Sequence, residues 1–205
     1  MTEYSLHEDP ASGNCYKIRL VAAYLGIPLQ RRRYDIQRGE TRTPAFLTEV
    51  NAGGRIPVLQ IDARFLPESN AAWAYLAHGS ALIPIDRFDH ADMLRWLFWE
   101  RHSHESYIAT LRFWRHYLGE AALSPAQTAL MPAKQAACEA ALALIRGYLT
   151  TRDWLAADRP TLADLVLYAY THLAGESGFD LAARPAVARW LTRVAAMPGH
   201  IRFDD

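Results

Sequence analysis

Cysteine is scarce in this chain: Cys15 and Cys138 are the only two among 205 residues, and they stand far apart. Two thiols so placed give neither a disulfide framework nor a four-ligand zinc site. Net charge is missing as well. The 22 basic and 22 acidic residues cancel, which removes the electrostatic footprint of a nucleic-acid or anionic-membrane partner. Long apolar runs are absent, since charges interrupt every candidate before the roughly 18 residues that span a bilayer. Met1-Thr2-Glu3-Tyr4 lacks the basic start and apolar stretch of a signal peptide, so a cytoplasmic location is the default expectation. Neither a G-x-G-x-x-G, a P-loop nor a C-x-x-C occurs. Gly175-Glu176-Ser177-Gly178 falls one residue short of a nucleophile elbow and follows no strand. What remains is an ordinary globular composition, 51% hydrophobic and 21% charged, in a chain long enough to bury a core.

The first eighty residues alternate strand-like and helix-like signals. Glu3 to His7 reads as a short strand. A turn cluster, Asp9-Pro10-Ala11-Ser12-Gly13-Asn14, leads into a helix over Cys15 to Leu25, with Ile18, Val21, Ala22 and Leu25 on one face. Gly26 stands where a C-capping glycine belongs. Leu29 to Ile36 and Arg55 to Ile61 are strand-like, Ala63 to Leu66 closes a hairpin, and Glu68 to His78 reads as a helix. The order βαβ, a connecting segment, then ββα predicts an α/β unit whose first two strands are parallel. Beyond Phe88 the strand signals vanish. Helices are expected over Phe88 to Leu118, Pro125 to Leu149, Thr161 to Gly175 and Pro185 to Ala196, with Gly79 to Arg87 as linker. The expected domains are therefore residues 1–80, α/β, and 88–205, all-helical.

Three spots carry chemistry, each with a plain structural alternative. Ser12-Gly13-Asn14 joins the first strand to the first helix, where a hydroxyl and backbone N–H groups meet the positive end of a helix dipole. A hydrogen bond donated there to a thiolate lowers a bound thiol's pKa; the same residues also suit a simple N-cap. Arg55-Ile56-Pro57-Val58 enters a strand through a proline, which belongs at a strand's start or edge. A cis bond there would turn main-chain groups outward to meet an extended peptide, although trans is the commoner state. Pro67-Glu68-Ser69-Asn70 precedes the third helix, and Glu68 and Ser69 suit an α-amino or carboxylate group as well as they suit a cap.

Together these segments resemble the glutathione transferase family. Ser12 through Leu20 looks like that family's first turn and helix, and Gly26-Ile27-Pro28 like its helix exit. Asn51 through Val58 resembles its N-x-x-G-x-[IV]-P-V element, and Glu68-Ser69-Asn70-Ala71 its E-S-x-A/I signature. Arg159-Pro160-Thr161-Leu162-Ala163-Asp164 resembles its P-T-[LI]-A-D box, physically a capping box with a structural role. The resemblance is to bacterial-type, serine-using members (nu-, tau- and zeta-like). It implies a thioredoxin-like N-terminal domain followed by an all-α C-terminal domain, with glutathione as cosubstrate and no metal. It further implies Ser12 as the donor to the glutathione sulfur, with Asn14 as an alternative. Ile56, before Pro57, would pair with the cysteinyl unit, and Glu68 and Ser69 would hold the γ-glutamyl end. Arg55, Gln37 and Arg38 are candidates for the glycyl carboxylate or the site's edge. Tyr4 and Cys15 stay open as other routes to thiol chemistry.

The implied acceptor is a small hydrophobic electrophile. His104, Tyr107, Ile108 and Leu111 share a helical face, and with Arg112 they are candidate pocket residues; ordinary packing explains the aliphatic members equally well. His102 and His104, two apart on a helix, point in different directions, so no metal site is expected. A homodimer is expected from the resemblance, and neither nucleic acid nor membrane is expected as partner. Conjugation of glutathione is the leading function. A glutathione-dependent disulfide reductase or peroxidase and a non-catalytic binding module are the rivals.

Overall fold

A computed structural model describes residues 2–205, which form two compact units, 2–80 with 197–205 and 81–196. In the first unit, strands β1 (Tyr4–Glu8), β2 (Gln30–Arg33), β3 (Val58–Ile61) and β4 (Arg64–Pro67) make one sheet in the order β2-β1-β3-β4. β1 and β2 are parallel, as expected; β3 and β4 run antiparallel to their neighbours. Helices α1 (Gly13–Tyr24), α2 (Pro44–Glu49) and α3 (Ser69–Ala77) complete it.

Local chemistry sets the boundaries. Leu29 to Ile36 shortens to β2 because Asp35 turns the chain, its Oδ1 accepting from the N–H groups of Gln37 and Arg38. Arg55 to Ile61 shortens to β3 because Pro57 has no N–H to offer the ladder. α1 ends in a left-handed Gly26, with Ile27 N–H bonding back to the Ala22 carbonyl, the 6→1 bond of a Schellman cap. α2 lies in what the sequence reads as a connecting segment. Thr43 caps it, and Pro44 occupies its first turn.

The nine residues 197–205, expected with the helical domain, instead belong to the α/β unit. Tyr16 donates its hydroxyl to the Ile201 carbonyl at 2.7 Å, and Arg19 reaches the carbonyls of Phe203 and Asp205 at 3.0 and 3.2 Å. Glu8, fully buried, pairs with Arg19 at 3.2 Å and with Arg31. α1 is consequently covered on nearly all sides, from Cys15 through Ala22.

The second unit contains α4 (Arg87–Ser103), α5 (Glu105–Arg112), α6 (Pro125–Leu149), α7 (Leu162–Thr171) and α8 (Pro185–Ala195). The single helix expected over Phe88 to Leu118 is interrupted at His104, whose φ of −128° leaves the helical region. Beyond α5 the chain widens into a π-helical stretch, Phe113–Leu118. Every residue of α7 is buried, so it forms the axis of this unit. The Thr161–Asp164 capping box is present, and Asp164 also accepts from Leu155 N–H and Trp190 Nε1, each at 3.0 Å. Its role is structural, as read from the sequence. No helix among the described residues is long and apolar enough to cross a membrane.

Candidate functional site

Strand pairing brings the three chemical motifs to one end of the sheet. β1 ends at Glu8, where His7 stands opposite Val58 at the start of β3, and Val58 stands opposite Pro67 at the end of β4. The turn after β1, the entry to β3 and the exit from β4 are therefore neighbours. Ser12, Ile56-Pro57 and Glu68-Ser69 gather there although the sequence scatters them. The Ile56–Pro57 peptide bond is cis.

Ser12 is the N-cap of α1. Its Oγ accepts from Cys15 N–H at 3.4 Å, a long bond. A hydroxyl that accepts there keeps its own proton to donate, so capping and thiolate stabilisation are compatible. Asn14, in the first turn of α1, meets Ser69, the first residue of α3. The Ser69 hydroxyl donates to Asn14 Oδ1 at 3.4 Å, and Lys17 Nζ donates to the same oxygen at 2.8 Å. The starts of α1 and α3 thus lie side by side. The N-cap of α3, Glu68, makes no side-chain capping bond and is exposed. Its φ of +74° is one of two positive values among the described non-glycine residues; such a backbone costs on the order of 1–3 kcal/mol and is commonest at binding sites. Two helix N-termini side by side direct unsatisfied N–H groups and positive potential at one place, an arrangement suited to an anion.

A cavity of about 280 Å³ opens beside Ser12, lined by Ile36, Thr41, Arg42, Gly54, Arg55 and Ile56. Arg42 crosses the Gly53-Gly54 turn and donates to the Gly53 carbonyl at 3.3 Å. Gly54 permits that crossing: its φ is +61°, and a Cβ there would sit 2.6 Å from Arg42 Nη1. Asn51 shapes the loop from inside, accepting from Gly53 N–H and donating to the Arg55 carbonyl.

The remaining α/β candidates fall elsewhere. Gln37 lines a separate depression with Asp9, Tyr34 and Glu40. Arg38 is 81% exposed and turned toward Asp35. Tyr4 begins β1, and at about 3.3 Å per residue it lies about 13 Å from the strand end that carries the motifs; its ring packs on Tyr75. Cys15 is completely buried, and that burial pushes its thiol up to about 12 against the weaker opposing pull of the Ser12 hydroxyl. Its burial and raised thiol pKa count against the Cys15-based disulfide reading.

In the helical unit, the residues grouped by spacing separate. Ile108 and Leu111 are fully buried in a core with Trp114, Cys138, Leu142 and Tyr170. His104 is fully buried, with Nε2 at 3.0 Å from Thr171 Oγ1. Arg112 pairs with Glu176 at 2.5 Å. Only Tyr107 keeps partial exposure, packed on the edge of that core. No cluster of metal-ligating side chains occurs among the described residues.

Residues 11–78 match the family model described as glutathione S-transferase, N-terminal domain, and residues 107–198 match glutathione S-transferase, C-terminal domain. A crystal structure of glutathione S-transferase from Pseudomonas fluorescens is 37% identical, covers 98% of this chain and 99% of that one, and superposes with a TM-score of 0.92. The chain belongs to the glutathione S-transferase family. A possible glutathione S-transferase from Rhodopseudomonas palustris is 41% identical over 98% of this chain and 90% of that one, with a TM-score of 0.91. Glutathione S-transferase 2 of Anopheles gambiae is 28% identical over 93% of this chain and 90% of its own length.

For this glutathione S-transferase family member, sequence reasoning missed Ile36, Thr41, Arg42 and Gly54 beside Ser12. Only Gly54 left a signal, inside the Asn51-Ala52-Gly53-Gly54 turn. Arg42 sits in a segment without periodicity, and its place depends on the turn it crosses.

Proposed function

We propose that this chain binds glutathione at the joined end of its sheet and activates the thiol for conjugation to a small hydrophobic electrophile. The observation that carries the reading is the convergence of the capping serine Ser12 and two adjacent helix N-termini beside a cavity flanked by Arg42 and Arg55. In this reading the Ile56 main chain pairs with the cysteinyl unit. The Ser69 hydroxyl and the start of α3 hold the γ-glutamyl carboxylate, and Glu68 holds its ammonium. Arg55, with Arg42, receives the glycyl carboxylate.

The thiol loses its proton to solvent, and Ser12 donates a hydrogen bond to the resulting thiolate, favouring the charged form. The sulfur then forms a bond to the electrophilic carbon as the carbon–leaving-group bond breaks, and the leaving group departs with the electron pair. Binding holds the sulfur and acceptor in reacting geometry. We also assign a homodimer and a cytoplasmic setting. The dimer reading rests on the family resemblance and on Leu94 and Phe98, one turn apart on α4 and 36 and 66% exposed.

The test is the ultraviolet absorbance of the glutathione thiolate, titrated against pH with and without the protein, alongside conjugation to a haloaromatic acceptor. A bound thiol titrating well below free glutathione, with conjugation that follows the thiolate fraction, is expected. Binding with an unshifted thiol refutes the transferase reading and leaves a binding module.

A further inference from the structure

Residues 9–12 form a β-turn. Ser12 N–H donates to the Asp9 carbonyl at 3.0 Å, and Pro10 holds the second position, where its fixed φ suits the turn. The turn passes the chain from β1 to α1 and delivers Ser12 to the cavity wall. Its central peptide, Pro10–Ala11, is held at both ends. Ala11 N–H donates to Asp9 Oδ1 at 2.9 Å, and the Pro10 carbonyl accepts from Arg19 Nη2 at 3.3 Å. The Asp9 carboxylate also accepts from the N–H of Ile36, which lines the cavity with Ser12.

Arg19 lies further along α1 and is buried. Its guanidinium is a planar fork of donors, and the fork meets three pieces of chain. Nε lies 3.2 Å from Glu8 Oε2, at the end of β1. Nη2 reaches the Ser12 turn at Pro10 and the tail at the Phe203 carbonyl, 3.0 Å away, while Nη1 donates to the Asp205 carbonyl at 3.2 Å. Gly199 lets the tail approach α1 this closely. Its φ is +80°, and a Cβ there would sit 2.8 Å from the Ala23 carbonyl oxygen. A hydroxyl that stabilises a thiolate must be held within about 0.5 Å and 10–20° of its working geometry, which is the task of the groups around it. We propose that Arg19 is a positioning residue for thiol activation: it fixes the Ser12 turn, and the 197–205 segment acts on that turn by holding Arg19. The proposal rests on the glutathione reading above and adds to it a residue outside the cavity lining.

The experiment compares wild type, Arg19→Lys and Gly199→Ala, each alone and combined with Ser12→Gly, and each checked for folding by thermal unfolding. Its readouts are the titration of bound glutathione's thiolate and the dissociation constant for glutathione at pH 6. Arg19→Lys keeps the charge but replaces the fork with a single ammonium. Gly199→Ala leaves Arg19 untouched and forces the tail away from the Ala23 carbonyl. In both, the bound-thiol pKa rises by about half a unit to one unit, a fall of about three- to tenfold in thiolate fraction below the pKa, while affinity at pH 6 changes less than about threefold. Added to Ser12→Gly, which has no hydroxyl to position, neither substitution moves the thiol further. The proposal is overturned if either single variant titrates as wild type, or if the shifts persist undiminished beside Ser12→Gly. Should one single variant fail to fold, the other decides. An unshifted thiol in the wild-type protein removes the glutathione-activation reading and this proposal together, whereas a shifted wild-type thiol with unmoved variants removes this proposal alone.

Discussion

Replacing Ser12 separates a cap from a catalytic donor. Ser12→Ala removes both the acceptor for Cys15 N–H and the proton offered to a thiolate. Ser12→Gly also removes both side-chain functions, but glycine is a tolerable N-cap, costing only a few tenths of a kcal/mol where alanine costs about 0.5–2 kcal/mol. The cap bond here is long, 3.4 Å, which puts the alanine penalty toward the lower end of that range. A hydrogen bond to a charged acceptor contributes about 1.5–3 kcal/mol. At about 1.36 kcal/mol per pKa unit, its loss raises the bound thiol by about 1–2 units. Conjugation at neutral pH then falls about tenfold or more in both variants, and rises with pH. The two variants should match in thiol titration and differ in stability, with alanine the less stable. Urea unfolding and the pH titration together check this. A thiol shift that follows stability, large in Ser12→Ala and small in Ser12→Gly, would refute the donor role and leave Ser12 a cap.

Other consequences follow from buried groups. Cys15, with its thiol pushed up to about 12, should resist iodoacetamide at pH 8 in the folded protein and react only on unfolding. Rapid labelling of native protein at Cys15, located by mass spectrometry, would contradict that. Asp164→Ala strands the N–H groups of Leu155, Thr161 and Trp190 in a buried setting, so a loss of about 3 kcal/mol or more is expected. Chemical denaturation reads it, and a loss below about 1 kcal/mol would mean that other acceptors replace the carboxylate. His7 is held below the usual histidine pKa, chiefly by burial, while its ring nitrogens meet Tyr34 and Gln60. A depressed folded pKa gives stability that is present above the unfolded value of about 6.5 and is lost as pH falls through the folded one. Stability should therefore decline from pH 7 toward pH 5, less steeply in His7→Gln. His200, also lowered by burial, adds a slope of the same sign that remains in the variant.

Sequence patterns revealed the elements whose signals are local. The Gly26 cap, the Thr161–Asp164 box and the parallel pairing of the first two strands each depend on a short stretch of chain. Ser12, Ile56-Pro57 and Glu68-Ser69 stood out because turn and cap chemistry needs particular residue types. The misses share a different physics. Ile108 and Leu111 repeat at helical spacing whether they face a core or a ligand, so periodicity could not assign them. Arg42 depends on a turn that only glycine lets it cross. α2 did leave a mark, Thr43-Pro44, which is the signature of a helix start.

The tail that closes on Arg19 and Tyr16 makes the helical unit, in chain order, an insertion within the α/β unit. Cutting after residue 80 would leave Arg19 in contact with Glu8 and the Pro10 carbonyl but strip it of the Phe203 and Asp205 carbonyls and uncover one side of α1. A ribosome must also complete the helical unit before residues 197–205 emerge. The final packing of the half that carries Ser12 therefore waits on the other half being made.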